Sequence, residues 1–376
     1  MRKALGVLLV CCLAAGCTGA QGPSSAPGAT PLGDVQADSG AKLSVSPIAY
    51  GDKTVVTASF GTPVKDRPVS LQVKAASGWK EADRGVQDAK GFVEFHPPAG
   101  TDTYRAVALD VQQNGATQAA ASTPSVSAAD QWTSALSDDF DGSRLKDPWE
   151  VRFPNLYYAS RWCSSSQPEM VSLKKGVLSL GLDKASAART AQARAQAAKA
   201  TKTTTAKACP LGVFDNAMVS TETKATFTYG TFAVRMKFPY QRGMHASAWL
   251  QNPGGTDIEI DFIETFGYKS KGIQNILHPK SEAGERLDVG GYVTVPGIET
   301  REWWDQYHIA SVEWSPEGYV FRMDGVETFR TSEAKSSSPK FLILSMLSSD
   351  YELDRLNPKQ LPASLDVDWF QVWQEK

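Results

Sequence analysis

The stretch Thr256-Asp257-Ile258-Glu259-Ile260-Asp261-Phe262-Ile263-Glu264-Thr265-Phe266-Gly267 decides how the chain is read, because it sets four acids among isoleucine and phenylalanine. On a β-strand successive side chains point to opposite faces, so Glu259 and Asp261 share one face while Ile258, Ile260 and Phe262 fill the other. Strict alternation sends Glu264 to the apolar side. One extra residue in a bulge between Asp261 and Glu264 returns it to the acidic side, and three carboxyls then line one face. Like charges this close cannot all ionise freely, so at least one pKa has to rise.

A raised and an unraised carboxyl side by side can act as a general acid and an ionised nucleophile at the same pH. Carboxylates about 5–5.5 Å apart suit glycosidic cleavage with retention, one attacking the anomeric carbon and the other protonating the leaving oxygen. A solvated acidic strand face and calcium ligation by clustered oxygens are the alternatives that the pattern leaves open. Trp249, His245 and His278 lie in the flanking segments, where an indole can stack on a pyranose ring or simply fill the core.

Outward from this stretch, residues 129–376 hold nine of the 10 tryptophans and run in short alternating segments such as Gly230-Thr231-Phe232-Ala233-Val234-Arg235-Met236-Lys237-Phe238 and Leu365-Asp366-Val367-Asp368-Trp369-Phe370, broken by turns such as Asp324-Gly325. An all-β sandwich follows. Residues 184–208 depart from the pattern, being rich in alanine with scattered Arg, Lys and Gln. They have helical propensity without a large apolar face, and the expectation is a mobile surface insertion, with contact to an anionic polymer as its functional alternative. Residues 42–127 show shorter alternating runs with turn residues between them, the pattern of a second, smaller antiparallel sandwich. Its order, Pro68-Val69-Ser70-Leu71-Gln72, then Gly78-Trp79, then Tyr104-Arg105-Ala106, resembles the immunoglobulin-like modules appended to exported bacterial enzymes. It contains no clustered His or carboxylates, and the expectation is a spacer or binding module.

At the start, Arg2 and Lys3 precede an apolar run over residues 4–15, the order of an export signal, and the run is too short to cross a bilayer. Its end, Leu13-Ala14-Ala15-Gly16-Cys17, resembles the lipobox of bacterial lipoproteins, which implies a lipidated Cys17 as the new N-terminus and anchorage at the outer face of the cell membrane. Ordinary cleavage with secretion is the alternative. Residues 18–41, poor in large apolar side chains, read as a flexible tether. Of 5 cysteines, Cys163 and Cys209 are the two left after the signal, and an oxidising compartment without CxxC spacing predicts a disulfide between them.

Length and charge bound the rest. The chain has 376 residues, Lys+Arg 39 against Asp+Glu 41, and 41% hydrophobic residues. That is enough for two domains with real cores, and the near-neutral balance excludes the basic surplus of a nucleic-acid binder. Nothing in the sequence asks for more than a monomer.

The order Tyr229 to Phe238, then Gly243-Met244-His245-Ala246-Ser247-Ala248-Trp249-Leu250, then Glu259-Ile260-Asp261-Phe262-Ile263-Glu264 resembles glycoside hydrolase family 16. Asp138-Asp139-Phe140-Asp141-Gly142, Tyr307-His308-Ile309-Ala310-Ser311-Val312-Glu313-Trp314, Met323-Asp324-Gly325 and Val367-Asp368-Trp369-Phe370-Gln371-Val372 extend the resemblance over about residues 129–376. It implies a concanavalin A-like jelly roll with a polysaccharide cleft on its concave face. By position it implies Glu259 as nucleophile, Glu264 as general acid/base and Asp261 as the helper that tunes Glu259. Two residues between Asp261 and Glu264 match the family's bulged branch, which includes laminarinases, agarases and carrageenases. Trp249 and His278 fall where the family contacts sugar, and His245, Arg235 and Trp303 complete the expected substrate contacts. Asp368 matches a position that often helps hold a structural calcium; no other cofactor is implied.

Several positions depart from the family pattern. His245 stands where many β-1,3-glucanases have a second tryptophan, residues 251–256 are short, Ser348-Ser349-Asp350-Tyr351 replaces a Gly-rich stretch, and Ala233 replaces a frequent Glu. These bear on the sugar more than on the reaction. The sequence reading is therefore a lipid-anchored, retaining, endo-acting hydrolase of β-linked polysaccharide, possible substrates including β-glucan. A transglycosylase remodelling a wall or capsule glycan and a non-catalytic glycan-binding lipoprotein are the rivals.

Overall fold

The computed structural model describes residues 35–376 apart from 101, 114, 158–160, 205–206, 269–271 and 281–283. The export signal, Cys17 and most of the expected tether lie outside the described residues. The end of that tether does not behave as a linker. Ala37 bridges Ser122, Asp38 N–H donates to Ser122 O at 2.9 Å, and Ala41 is buried, so residues 36–41 form a strap along the small N-terminal sandwich.

That sandwich has two antiparallel sheets. One orders Lys42–Val45, Val56–Ser59 and Phe92–Phe95; the other orders Val126–Ser127, Thr103–Ala108, Pro68–Ala75 and Gly78–Val86. Alternation decides the core: Val56 and Ala58 are fully buried while Thr57 and Ser59 are not, and Val69, Leu71, Phe95 and Tyr104 meet them from the other strands.

Residues from Trp132 onward build the large jelly roll. One layer runs Val289–Val293, Ile273–His278, Glu259–Thr265, His245–Gln251, Phe341–Leu347, Phe214–Ser220. The other runs Ala363–Glu375, Gly230–Lys237, His308–Ser315, Gly318–Met323, Val326–Thr331. Strand Val177–Lys184 joins them, pairing through Leu178 to Leu182 with the second layer and through Asp183 and Lys184 with the first. Phe262 and Phe370 meet edge to face across the core at 6.3 Å, and Phe232, Val234, Leu344 and Val372 pack around them without solvent exposure.

The insertion differs from the sequence expectation. Instead of a mobile loop, Ala187–Thr201 is an α-helix, capped at its start by the Ser186 hydroxyl and ended by Lys202 in the left-handed region. A large apolar face proves unnecessary, because Ala193 and Ala197 are small enough to let the helix sit directly on the sandwich. Arg189 anchors it through a two-pronged pair with the buried carboxylate of Asp215, at 3.0 and 2.5 Å. A Cys163–Cys209 disulfide ties the segment after the helix to the start of strand Ser164–Ser166.

A buried cation clamps the two sandwiches, alongside the exposed Lys42–Glu317 pair and Arg330 over the Phe92 ring. Arg322, 1% exposed, reaches Glu94 Oε2 at 2.5 Å and Thr57 Oγ1 at 3.2 Å in the small sandwich, and Glu313 Oε1 at 3.7 Å on its own sheet. Trp132 Nε1 donates to Val45 O at 2.6 Å, and Val45 N–H donates to Gln131 Oε1 at 2.8 Å, so the joint itself is hydrogen-bonded. Removing one partner of a buried ion pair costs about 3–5 kcal/mol, less where the other partners retain some water. Arg322→Ala is therefore expected to lower the unfolding free energy in urea by about 2–4 kcal/mol; a loss below about 1 kcal/mol would mean that the joint is solvated.

Candidate active site

Core packing fixes the acidic strand. Ile260, Phe262 and Ile263 are all fully buried, and two consecutive core residues are allowed because the strand bulges. Asp261 pairs with Ile276 and Glu264 with Gln274, so three steps on this strand match two on its neighbour; on the other side the register shifts between Ala248 and Trp249. Glu259, Asp261 and Glu264 consequently share the face turned away from the core. Asp257, the fourth acid, stays apart: its carboxylate takes the fully buried Lys340 ammonium at 3.1 Å and the Ser336 hydroxyl. Although burial alone would raise its pKa, Ser336, the Ile258 amide and Lys340 hold it below the usual value.

The adjacent strand His245–Gln251 supplies the neighbours by simple alternation. Ala246, Ala248 and Leu250 face the core, while His245, Ser247, Trp249 and Gln251 face the acids. Trp249 Nε1 donates to Ser345 Oγ at 3.1 Å, which fixes the indole, and Gln251 Nε2 donates to Glu259 Oε2 at 2.9 Å. A groove of about 570 Å³ opens at the Glu259 end, lined by Trp249, Gln251, Arg152, Arg286, Tyr351 and Glu259. The Gln251 contact continues the same alternation and was legible in it; Arg152, Arg286 and Tyr351 come from distant loops and carry no motif.

Two histidines back two of the acids. His278 Nε2 lies 3.0 Å from Asp261 Oδ2, and its Nδ1 lies 2.7 Å from Asp288 Oδ1, with the Arg286 guanidinium closing on the same ring. His245 Nε2 lies 2.7 Å from Glu264 Oε1. The ligand atoms of Glu259, Asp261 and His278 fall within 4.8 Å of one another. His278 is engaged by Asp261 and Asp288 on its two nitrogens, so the same atoms also form a hydrogen-bond network.

Environment separates Asp261 from Glu264. Burial, then the charge of Glu259, push Asp261 up to about 7, against a smaller pull from its bond to His278. Burial also raises Glu264, yet the charge and hydrogen bond of His245 outweigh it and leave Glu264 below its ordinary value. His245 is raised in turn, because Glu264 and Glu352 together outweigh its desolvation. Of Asp261 and Glu264, the one raised is thus the middle acid of the strand.

Three expected residues lie elsewhere, and those expectations are corrected. Arg235 sits between core-facing Val234 and Met236, so it projects from the outer face of the opposite layer, where it binds Asp368 Oδ2 at 2.5 Å and stacks on Tyr307 at 4.8 Å. That cation on Asp368, with Lys237 on neighbouring Asp366 at 3.2 Å, does not fit a calcium ligand set. Trp303 is packed between Phe238 and His308, ring centroids at 5.7 and 4.0 Å, and is core.

Comparison with known proteins agrees with this architecture. The pattern of glycosyl hydrolases family 16 matches residues 162–370. A β-glucanase of Rhodothermus marinus is 24% identical over 185 residues, 43% of this chain; the chain spans 62% of the length of that curated relative. Among solved structures, the laminarinase catalytic domain of Thermotoga maritima superposes with a TM-score of 0.50 at 18% identity, over 66% of this chain and 100% of that one. The laminarinase of Rhodothermus marinus superposes with a TM-score of 0.51 at 21% identity, over 65% and 98%. The family pattern spans most of the jelly roll, the acidic strand included, and the chain belongs to glycosyl hydrolase family 16.

Proposed function

We propose that the chain hydrolyses internal β-linked bonds of a polysaccharide by a retaining double displacement, and that the polymer is a β-glucan. The observation that carries this reading is the bulged strand, which sets three carboxyls on one face, with Glu259 lining a groove beside an anchored indole. The names of its relatives, β-glucanase and laminarinase, support the sugar and the endo-acting mode.

In the first half, a Glu259 oxygen attacks the anomeric carbon while Glu264 delivers a proton to the glycosidic oxygen; the C–O bond breaks and the leaving chain departs as an alcohol. In the second, Glu264 takes a proton from water, the water oxygen attacks the same carbon, and the ester to Glu259 breaks. Asp261, held protonated up to about pH 7, sets a neutral carboxyl rather than a second charge beside the nucleophile. Trp249 offers its ring face to a pyranose. The Arg2-Lys3 start, the apolar run and the Leu13 to Cys17 ending support export and lipid anchorage through Cys17.

Incubated with β-1,3-glucan, mixed-linkage glucan, agar and carrageenan, the full chain is expected to release shorter oligosaccharides from a glucan, with the β-anomer appearing first by NMR. Glu259→Gln should release none, and Glu264→Gln should slow release by about 10²–10⁴-fold. Turnover retained by Glu259→Gln would remove it as nucleophile, and chains longer than the starting oligosaccharide would make the enzyme a transglycosylase.

Asp261 also sets a pH dependence. Its pKa is raised on folding, so between about pH 4 and 7 the folded state holds a proton that the unfolded state has lost. This contribution to stability is present at low pH and is lost as pH rises through that window. Urea unfolding should show the wild type losing stability relative to Asp261→Asn from pH 4 to 7; a relative gain would contradict the raised value.

A further inference from the structure

An acid/base carboxyl held below its ordinary pKa poses a problem, since Glu264 must carry a proton when the glycosidic bond breaks. The structure contains an arrangement that answers it. Glu352 is a glutamate only 2% exposed, at the entry to the short turn Leu353–Arg355 and directly after the Ser348–Tyr351 stretch. Its Oε2 accepts from Ser349 N–H at 3.2 Å. Among the described residues its Oε1 is buried without a hydrogen-bond partner, and so is His245 Nδ1; the two face each other at 3.7 Å. Buried orphans are rare, and catalytic hydrogen bonds that are long in the free enzyme tighten in the complex. The ring's other nitrogen is the one already 2.7 Å from Glu264. Glu352, His245 and Glu264 therefore form one line.

We propose that Glu352 is a positioning residue for this reaction: its carboxylate holds the Nδ1–H of His245, points Nε2 at Glu264, and makes the Glu264–His245 pair the store of the proton that the acid step delivers. This rests on the reading of Glu264 as the general acid/base. In the resting pair His245 carries both ring protons and Glu264 is ionised. As the glycosidic C–O bond breaks and the bond to Glu259 forms, the Nε2 proton passes to Glu264 and on to the leaving oxygen, which leaves a neutral ring with Nδ1–H on Glu352. When water attacks, its proton returns through Glu264 to Nε2 and the resting pair is restored.

The groups that face this line are of both signs. Burial raises the Glu352 carboxyl, with His245, the Ser349 amide and Arg161 pulling the other way, and Arg161 also opposes the charge on His245. His278 and Arg286 act on Glu264 from the strand and loop on its far side. Tyr351 and Tyr292 feel both glutamates, and Arg355 acts on Tyr292. Two carboxylates against one imidazole leave the balance in favour of the charged ring.

The full chain has four histidines, so each ring can be followed by nitrogen-15 NMR without any substrate, with His245 assigned by its loss in His245→Gln. The wild-type His245 ring is expected to titrate above about 6.5, the ordinary histidine value. Glu352→Gln should lower that midpoint by about 1 unit or more, while Glu352→Asp, which keeps the charge, should hold it near wild type and separate a charge effect from a folding defect. The basic limb of kcat/KM, measured on whichever glucan the wild type cleaves, should move down with the ring in Glu352→Gln. A wild-type midpoint at or below about 6.5, or one unmoved by Glu352→Gln, overturns the proposal. So does a lowered midpoint with an unmoved basic limb, which would make Glu352 merely structural. A wild type that shows the ring titration yet cleaves no polymer overturns the hydrolase reading instead, and the catalytic use of the pair falls with it.

Discussion

Everything in the groove depends on one extra residue in one strand. Without the bulge, Phe262 or Ile263 would have to leave the core, or Glu264 would be driven into it. Both choices are costly: a buried aromatic or branched side chain is worth about 1.5–3 kcal/mol, and an isolated buried carboxylate costs more. With the bulge, apolar burial and acid alignment are satisfied by the same seven residues, Glu259–Thr265. Stability and chemistry are therefore coupled through the backbone and not only through the side chains that react.

Around that strand, charge is distributed by partners rather than by simple depth. Asp261 and Glu264 are both largely withdrawn from water, yet one is raised and the other lowered. The difference lies in what each faces: Asp261 has Glu259 beside it, whereas Glu264 has the His245 ring, whose own pKa is raised. His278 sits against Asp261 but is itself shared with Asp288, which dilutes its effect. An acidic face built this way gives chemically similar groups different surroundings, while Asp368 on the opposite layer is engaged by Arg235.

Alternation made the acids, Trp249, His245 and the core of both sandwiches legible, because a period of two is a local property of the chain. It could not tell which outer face becomes the groove. Arg235 and Trp249 both lie on strands with buried alternate neighbours, and only the pairing of twelve strands puts one beside the acids and the other behind them. The helix Ala187–Thr201 was misread as a loop since large apolar residues are the usual sign of docking, and two alanines with one arginine took their place. Glu352 left no local trace at all. It is delivered by a segment whose Asp350 grips the Trp162 and Cys163 amides, both at 2.9 Å, nearly two hundred residues away in sequence.

The Arg322 clamp bears on how this chain could have been assembled. Appended modules are usually thought of as beads that can be exchanged between enzymes along a flexible thread. Here the receiving surface is a sheet of the jelly roll itself, and the complement is split between Glu313 on that sheet and Glu94 on its neighbour. Transplanting either sandwich onto an unmatched partner would strand a cation or an anion in a dry joint. A substitution at position 94 therefore changes the surroundings of position 322 as directly as if the two lay in one sandwich.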